Sequence, residues 1–95
     1  MYYKTYVQWY GPTQKLFEAG ERCNCLYIIL NGVIDIQISD GEETQVIDSL
    51  GKGSVIGINY LIKKEKWVYS AVNLSTITAK ILKVDENLLN HIKNK

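Results

Sequence analysis

The sequence predicts a mainly β domain, a small barrel or sandwich of short strands with a helix packed at its end. Three observations predict this class. Runs of apolar and β-branched residues recur along the chain, glycine-containing turns separate them at intervals of roughly 8–12 residues, and only the last segment has the spacing of an amphipathic helix. At 95 residues the chain makes one domain, near the lower size at which a single apolar core is stable.

The chain begins with an aromatic segment, MYYKTYVQWYGPT, that has no clear period. The pattern leaves its structure undetermined, so residues 1–13 are interpreted as a lead-in to a domain that covers residues 14–95. Four strands are predicted before the glycine-rich centre, and each combines apolar residues with a terminal turn: 14–21, 25–32, 33–39 and 44–50.

The second and third of these strands are separated by Asn31-Gly32, a pair that tolerates positive φ and favours a tight turn. We therefore predict that the two strands form a hairpin. In the third strand, Ile34, Ile36 and Ile38 alternate with polar residues, which predicts one buried and one exposed face.

The carboxyl-terminal part is predicted to contain two more strands and one helix: 67–74, 76–84 and 85–93. Both strands are rich in β-branched residues. Asp85 has the residue type and position of an N-cap, and Leu88, Leu89 and Ile92 fall on one side of the helix.

The composition is that of an ordinary soluble globular protein, with 46% hydrophobic and 22% charged residues. A net charge of +1 gives no general field that attracts nucleic acid or an anionic membrane, so neither is an expected partner of this chain. No apolar run approaches the ~18 residues of a membrane span.

Residues that could carry catalysis or bind a metal are few. Cys23 and Cys25 lie two residues apart, a spacing unsuited to a disulfide, and are expected to be buried or half-buried thiols. Together with His91, the single histidine, they cannot make a four-ligand zinc site, and metal-dependent enzymes built on small β-rolls need several histidines. We therefore expect that the chain is not an enzyme.

Residues 51–72, GKGSVIGINYLIKKEKWVYSAV, have the glycines and small residues of a phosphate-holding loop. Four segments in the same order resemble the cyclic nucleotide-binding domain: LFEAGE, LYIILNGVIDI, LGKGSVIG, and a Ser-Ala pair that leads to ILKVD. The resemblance implies a double-stranded β-helix, the jelly-roll β-roll, of about eight short strands with a short cassette helix and a C-terminal helix. The wording LGKGSVIGINYLI is most similar to voltage-gated and cyclic nucleotide-gated cation channels, in particular to protist potassium-channel-like members.

In that family a glycine precedes a short helix whose amides hold the cyclic phosphate, a glutamate follows the glycine, and an arginine beside a Ser or Thr meets the phosphate. Gly57 matches the glycine, but Ile58 stands in place of the glutamate and Tyr69 in place of the arginine, whereas Ser70 keeps the hydroxyl. The resemblance thus places the ligand cassette at Gly57, Ile58, Asn59, Tyr60, Tyr69, Ser70 and Ala71.

The two replacements predict a degenerate pocket. Each lost charge-assisted contact is worth roughly 1.5–3 kcal/mol, so both together weaken affinity by about a hundred- to ten-thousandfold. No cofactor is expected, and cyclic AMP or cyclic GMP is disfavoured. Two alternatives remain open: Lys63, Lys64 or Lys66 supplies a replacement cation, or Tyr60 and Tyr69 fill the pocket with their own rings.

The resemblance implies a regulatory, non-catalytic role on the cytoplasmic side of a tetrameric cation channel, a potassium channel in this interpretation. The expected partners are the remainder of the channel or neighbouring subunits, with no direct membrane contact by this segment. The alternatives are a functional cyclic AMP or cyclic GMP sensor, and the sensor half of a catabolite-activator-type transcription regulator. The lid helix that follows the β-roll in the family has no counterpart before Lys95, so the native protein is expected to continue.

Overall fold

The computed structural model describes residues 6–93, which form eight strands and two short helices. The strands are β1 (Val7–Tyr10), β2 (Lys15–Phe17), β3 (Cys25–Asn31), β4 (Ile34–Ser39), β5 (Thr44–Leu50), β6 (Val55–Ile56), β7 (Ser70–Val72) and β8 (Ala79–Asp85). The helices are α1 (Ile58–Lys63) and α2 (Glu86–Lys93). The predicted mainly β fold, with a cassette helix and a C-terminal helix, is confirmed.

The strands form two antiparallel four-stranded sheets that share one core. The first sheet has the order β1-β8-β3-β6 and the second has the order β2-β7-β4-β5. Ile29 and Ile81 of the first sheet belong to the same buried cluster as Ile34, Ile36 and Ala71 of the second. Most sheet neighbours are distant in sequence, as expected of a jelly roll, in which the chain crosses repeatedly between two sheets.

The predicted hairpin between residues 25–32 and 33–39 is wrong. Strand β3 pairs with β8 and β6, whereas β4 pairs with β5 and β7, so Asn31-Gly32 is a corner between the sheets. Gly32 has a φ of 94°, and a Cβ there would lie 2.9 Å from the Cα of Ala79. The chain thus passes so closely over β8 that only glycine fits, and it continues into the second sheet.

The predicted burial of Ile38 is also wrong, because this side chain is 40% exposed. The pairing of β4 with β7 ends at Gln37, which faces Ser70, so β7 does not extend beside Ile38. Ile34 and Ile36 are buried as predicted.

The strands of the carboxyl-terminal half are displaced or shorter than predicted. Instead of residues 67–74, only Ser70–Val72 form a strand, and the next strand begins at Ala79. The fully buried Asn73 accounts for the break, because its Nδ2 donates to the carbonyls of Tyr10 (2.8 Å) and Ile77 (2.9 Å) and thereby closes a local turn. The lead-in, whose structure the pattern left open, supplies β1 as the edge partner of β8.

The C-terminal helix begins as predicted. The Oδ1 atom of Asp85 accepts a hydrogen bond of 2.8 Å from the backbone N–H of Leu88, which is the N-cap geometry. Leu88 is buried and Leu89 packs against the core, whereas the side chain of Ile92 lies outside the described residues. Neither described helix has the length and apolar character needed to cross a bilayer.

Candidate ligand-binding cleft

The predicted cassette begins with a residue in the left-handed backbone conformation, which is followed by a short helix. After β6, Gly57 has a φ of 99°, a conformation that glycine adopts without strain, and its carbonyl accepts the N–H of Leu61 at 2.9 Å. Helix α1 has six residues, with no side-chain cap at its start and no acidic residue in its first turn. The backbone of the predicted cassette is therefore present, without a carboxylate at its beginning.

The space beside Gly57 is occupied by the indole of Trp67. A Cβ built on Gly57 would overlap Cη2 of Trp67 and lie 3.0 Å from its Cζ3. The indole is only 3% exposed, and it stacks on the ring of Phe17 with 3.6 Å between centroids and 10° between planes. The space directly beside Gly57 is thus filled by a buried side chain of the protein itself.

Four more rings surround this indole, and we call the five together the aromatic cluster: Phe17, Tyr27, Tyr60, Trp67 and Tyr69. Tyr60 lies 5.1 Å and Tyr69 lies 5.9 Å from the Trp67 ring, centroid to centroid. The two tyrosines meet edge to face at 5.6 Å. Tilted and edge-to-face pairs at these distances are favourable arrangements of aromatic rings, so the cluster is a packed filling.

The backbone of Trp67 is fixed to the turn after β2. Its carbonyl accepts the N–H of Gly20 at 2.7 Å, and its own N–H donates to the carbonyl of Glu21 at 2.9 Å. Next to it, Arg22 and Lys66 form an isolated antiparallel β-bridge. The backbone that carries the indole is therefore fixed through both its N–H and its carbonyl group.

The structure brings together only some of the predicted site residues. Gly57, Tyr60 and Tyr69 converge on Trp67, whereas Ile58 is 52% exposed and Asn59 is exposed on α1. The N–H of Ala19 donates to Ser70 Oγ at 3.0 Å. Ala71 is fully buried in the core and pairs with both Ile36 and Phe17.

The sequence pattern gave no indication of Trp67 or Phe17 as cleft residues. Trp67 was assigned to a strand, and its contact with Phe17 depends on how the segment before Ser70 turns back over the β2 turn. The sequence shows only a tryptophan directly after the lysine-rich segment KKEK, which does not specify a partner.

Burial raises the pKa values of two ionisable groups near the aromatic cluster, Tyr69 and Cys23. Burial raises the pKa of Tyr69, and the nearby Tyr60 and Cys23 add to this shift. Burial likewise raises the pKa of the Cys23 thiol, which donates to the carbonyl of Cys25 at 3.3 Å. Both cysteines are buried, as predicted. Burial therefore favours the protonated form of both thiols.

Positive charges lie outside the aromatic cluster. Lys63 borders a recess of about 240 Å³ together with Asn59, Tyr60 and Glu65. Arg22, the single arginine, borders a different cavity with Lys64. Among the described residues, no group of three or more histidine, cysteine or acidic side chains is placed to hold a metal ion.

Comparison with known proteins gives one family and several similar folds. The family model described as cyclic nucleotide-binding domain matches residues 7–93, and no curated protein sequence matches the chain. The EAL enzyme Bd1971 in its half-site-occupied form has a TM-score of 0.84 at 21% identity, with 94% of this chain and 78% of that chain covered.

Two further solved structures are similar at comparable levels. The cyclic nucleotide-binding-like protein from Brucella abortus bv. 1 str. 9-941 has a TM-score of 0.84 at 21% identity, covering 94% of this chain and 75% of that one. The N-terminal domain of a transcriptional regulator from Streptomyces coelicolor A3(2) has a TM-score of 0.82 at 18% identity, covering 93% and 62%. At such identities the likeness shows a shared fold alone.

Proposed function

Because this chain belongs to the cyclic nucleotide-binding domain family, which its residues 7–93 match, we propose that it is a regulatory domain with a cleft closed to cyclic nucleotides. Domains of this family regulate and do not catalyse. In this proposal the β-roll retains its role as a coupling module, and the aromatic cluster takes the space of the ligand.

The observation that carries the proposal is the position of Trp67. Its indole packs against the backbone of Gly57 and on the face of Phe17, so a sugar phosphate entering the cleft has to displace a ring that is 97% buried. Removing a large aromatic side chain from a packed core costs about 3–5 kcal/mol, which is comparable to the binding free energy of a millimolar ligand.

The two positions that match the family's charged residues also carry no charge in this chain. Ile58, at the position of the family's glutamate, points an apolar side chain to solvent, and Tyr69, at the position of the arginine, is a half-buried phenol. Arg22 lines a cavity that no member of the aromatic cluster borders. Both the space and the charge therefore argue against nucleotide binding.

A second candidate is weak nucleotide binding at the start of α1. The helix has no side-chain cap there, so its first amides remain available to an anion, and Lys63 lies close to Tyr60 and Asn59. Ser70 is less available than the sequence suggested, because its hydroxyl already accepts the N–H of Ala19. A site of this kind would be superficial and weak.

The test is a titration of the chain with cyclic AMP and with cyclic GMP, followed by the amide NMR shifts of residues 53–72. We expect no saturable change at millimolar nucleotide. Saturation in the micromolar range would overturn the proposal, and weak shifts confined to residues 57–60 would favour the second candidate. The variant Ile58→Glu/Trp67→Leu/Tyr69→Arg, with its fold checked by circular dichroism, should bind more tightly than Ile58→Glu/Tyr69→Arg, which keeps the indole.

The molecular context is a further part of this proposal. The channel-like wording LGKGSVIGINYLI supports a domain on the cytoplasmic side of a tetrameric cation channel, with the rest of the channel or neighbouring subunits as partners. The alternative is the sensor half of a transcription regulator, and the similarity of the fold to the Streptomyces coelicolor domain supports it. Sequencing the complete reading frame decides between the two contexts. A pore segment upstream would support the channel, and a helix-turn-helix downstream would refute the channel and support the transcription regulator.

A further inference from the structure

We call the cavity that Arg22 and Lys64 border the basic cavity. It has a volume of about 520 Å³ and is bordered by the turn after β2, the end of α1, the end of β8 and the start of α2. Its charged and amide-bearing lining includes Arg22, Asn24, Lys64, Lys83, Asp85 and Glu86. No ring of the aromatic cluster contributes to it, and Cys23, which lies near Tyr69, is the residue that it shares with the surroundings of that cluster.

The three cations that border the basic cavity are Arg22, Lys64 and Lys83. Within residues 6–91, no acidic oxygen lies within ion-pair distance of Arg22, Lys64 or Lys83, and the ion pair found there joins Lys15 to Glu18. An arginine presents a planar fork of donors that matches two oxygens of a phosphate, and lysines add point charges. The unpaired guanidinium and ammonium groups are thus available to an anion.

The backbone holds two of these cations in place. Arg22 pairs with Lys66 in a β-bridge, and the adjacent Cys23 N–H donates to the carbonyl of Glu65 at 3.3 Å. Lys64 caps α1 in a left-handed conformation, with its N–H bonded to the carbonyl of Tyr60. The fold therefore sets their Cα positions, and both side chains are exposed.

The two carboxylates of the basic cavity are engaged with helix α2. Asp85 accepts the N–H of Leu88 as the N-cap, and Glu86 lies in the first turn, where the helix dipole favours a negative charge. The basic cavity is therefore lined by three cationic and two acidic side chains, a net charge of +1 (3 − 2). Asn24 and Asn87 add neutral amide donors on either side.

We propose that the basic cavity is a binding site for a small phosphate-bearing molecule, distinct from the nucleotide cleft of the family. Arg22 grips the phosphate through its guanidinium fork, and Lys64 and Lys83 neutralise the remaining charge. The volume falls within the range of small-molecule sites, roughly 300–1,000 Å³. The chain's single arginine thus serves an anion site outside the cleft.

The test uses inorganic pyrophosphate as the probe, with sodium chloride at matched ionic strength as the reference. We expect saturable amide shifts at residues 22–24, 64 and 83–87, which chloride does not produce. Arg22→Gln should weaken the apparent affinity by about tenfold or more, since one charge-assisted bidentate contact is lost. Lys52→Gln, the same loss of charge in the exposed Gly51–Gly53 turn, should leave the affinity unchanged.

Three outcomes would overturn the proposal. The first is the absence of saturation at about 10 mM pyrophosphate, the weak limit for a specific site. The second is a set of shifts spread over the surface lysines, and the third is an equal loss of affinity in Arg22→Gln and Lys52→Gln. Lys83→Gln is the second variant, so that the result does not depend on the folding of one substitution.

Discussion

At Gly57 the backbone has a φ of 99°, and the ring of Trp67 lies where a side chain would begin. A methyl group there meets two obstacles, the left-handed conformation and the buried indole. Gly53, in the preceding turn, has a similar φ of 91° with nothing within 4 Å of a built Cβ. Alanine substitutions at the two glycines therefore separate the free-energy cost of the left-handed conformation from the cost of the clash with the indole.

We predict that Gly57→Ala destabilises the chain by about 2–5 kcal/mol, of which roughly 1–2 comes from the left-handed conformation and 1–3 from overpacking against Trp67. Gly53→Ala should cost only the first part. Urea denaturation of both variants and the native chain measures the difference. Equal losses of unfolding free energy at the two positions would show that the indole does not fill the cleft.

At the same scale, the sequence predicted some cleft residues and missed others for a physical reason. Gly57 was predicted from the resemblance to the family's glycine, and Tyr60 and Tyr69 were named as rings that could fill the pocket. Trp67 was missed, because its stacking on Phe17 depends on a contact between residues 50 positions apart, which no local pattern encodes.

Among the elements, helix α2 depends on its N-cap. The side chain of Asp85 supplies an acceptor to the Leu88 N–H, and the helix packs through Leu88 and Leu89. We predict that Asp85→Ala lowers the unfolding free energy by about 1 kcal/mol. Glu42→Ala, an exposed acid in the turn before β5, serves as the control in the same urea experiment. A loss no larger than that of the control would mean that α2 does not need the cap.

The strands show which elements a sequence can specify. Strands β3, β4 and β5 were predicted within a residue or two, because their apolar residues and turn glycines are local features. Their pairing was not, because Asn31-Gly32 sets a tight bend without selecting the sheet that the chain enters next. That choice depends on Ala79, which lies under Gly32 and is 47 residues further along.

Across the whole molecule, several groups that ionise at alkaline pH are buried in their neutral forms. Burial is the main reason that the pKa values of Tyr10, Tyr27 and Tyr69 are raised, and it raises those of Cys23 and Cys25 as well. The folded state therefore holds these protons more tightly than the unfolded state. Their contribution to stability is complete below the unfolded pKa values, about 8.5 for cysteine and 10 for tyrosine, and is lost as the pH rises above them.

We therefore predict that the urea midpoint falls progressively above pH 8.5 and most steeply above pH 10. Tyr27, whose hydroxyl donates to the Leu16 carbonyl at 3.2 Å, contributes to this slope. Above pH 10, Tyr27→Phe should lose up to about 1.4 kcal/mol less unfolding free energy per pH unit than the native chain. The stability of each protein at pH 7 is the reference for its own decline. A variant that declines as steeply as the native chain would contradict the assignment to Tyr27.

The double anchorage of Trp67 has a consequence for how such a domain changes over evolutionary time. The backbone carbonyl and N–H of Trp67 are bonded to Gly20 and Glu21, so moving this segment away to reopen the cleft also disturbs the turn after β2. On the proposed function, regaining an arginine or a glutamate confers no advantage while the indole stays, and losing the indole first weakens the fold. Each single reversion is therefore disfavoured by selection, and descendants of this protein should diversify around the filled cleft instead of recovering the ancestral ligand.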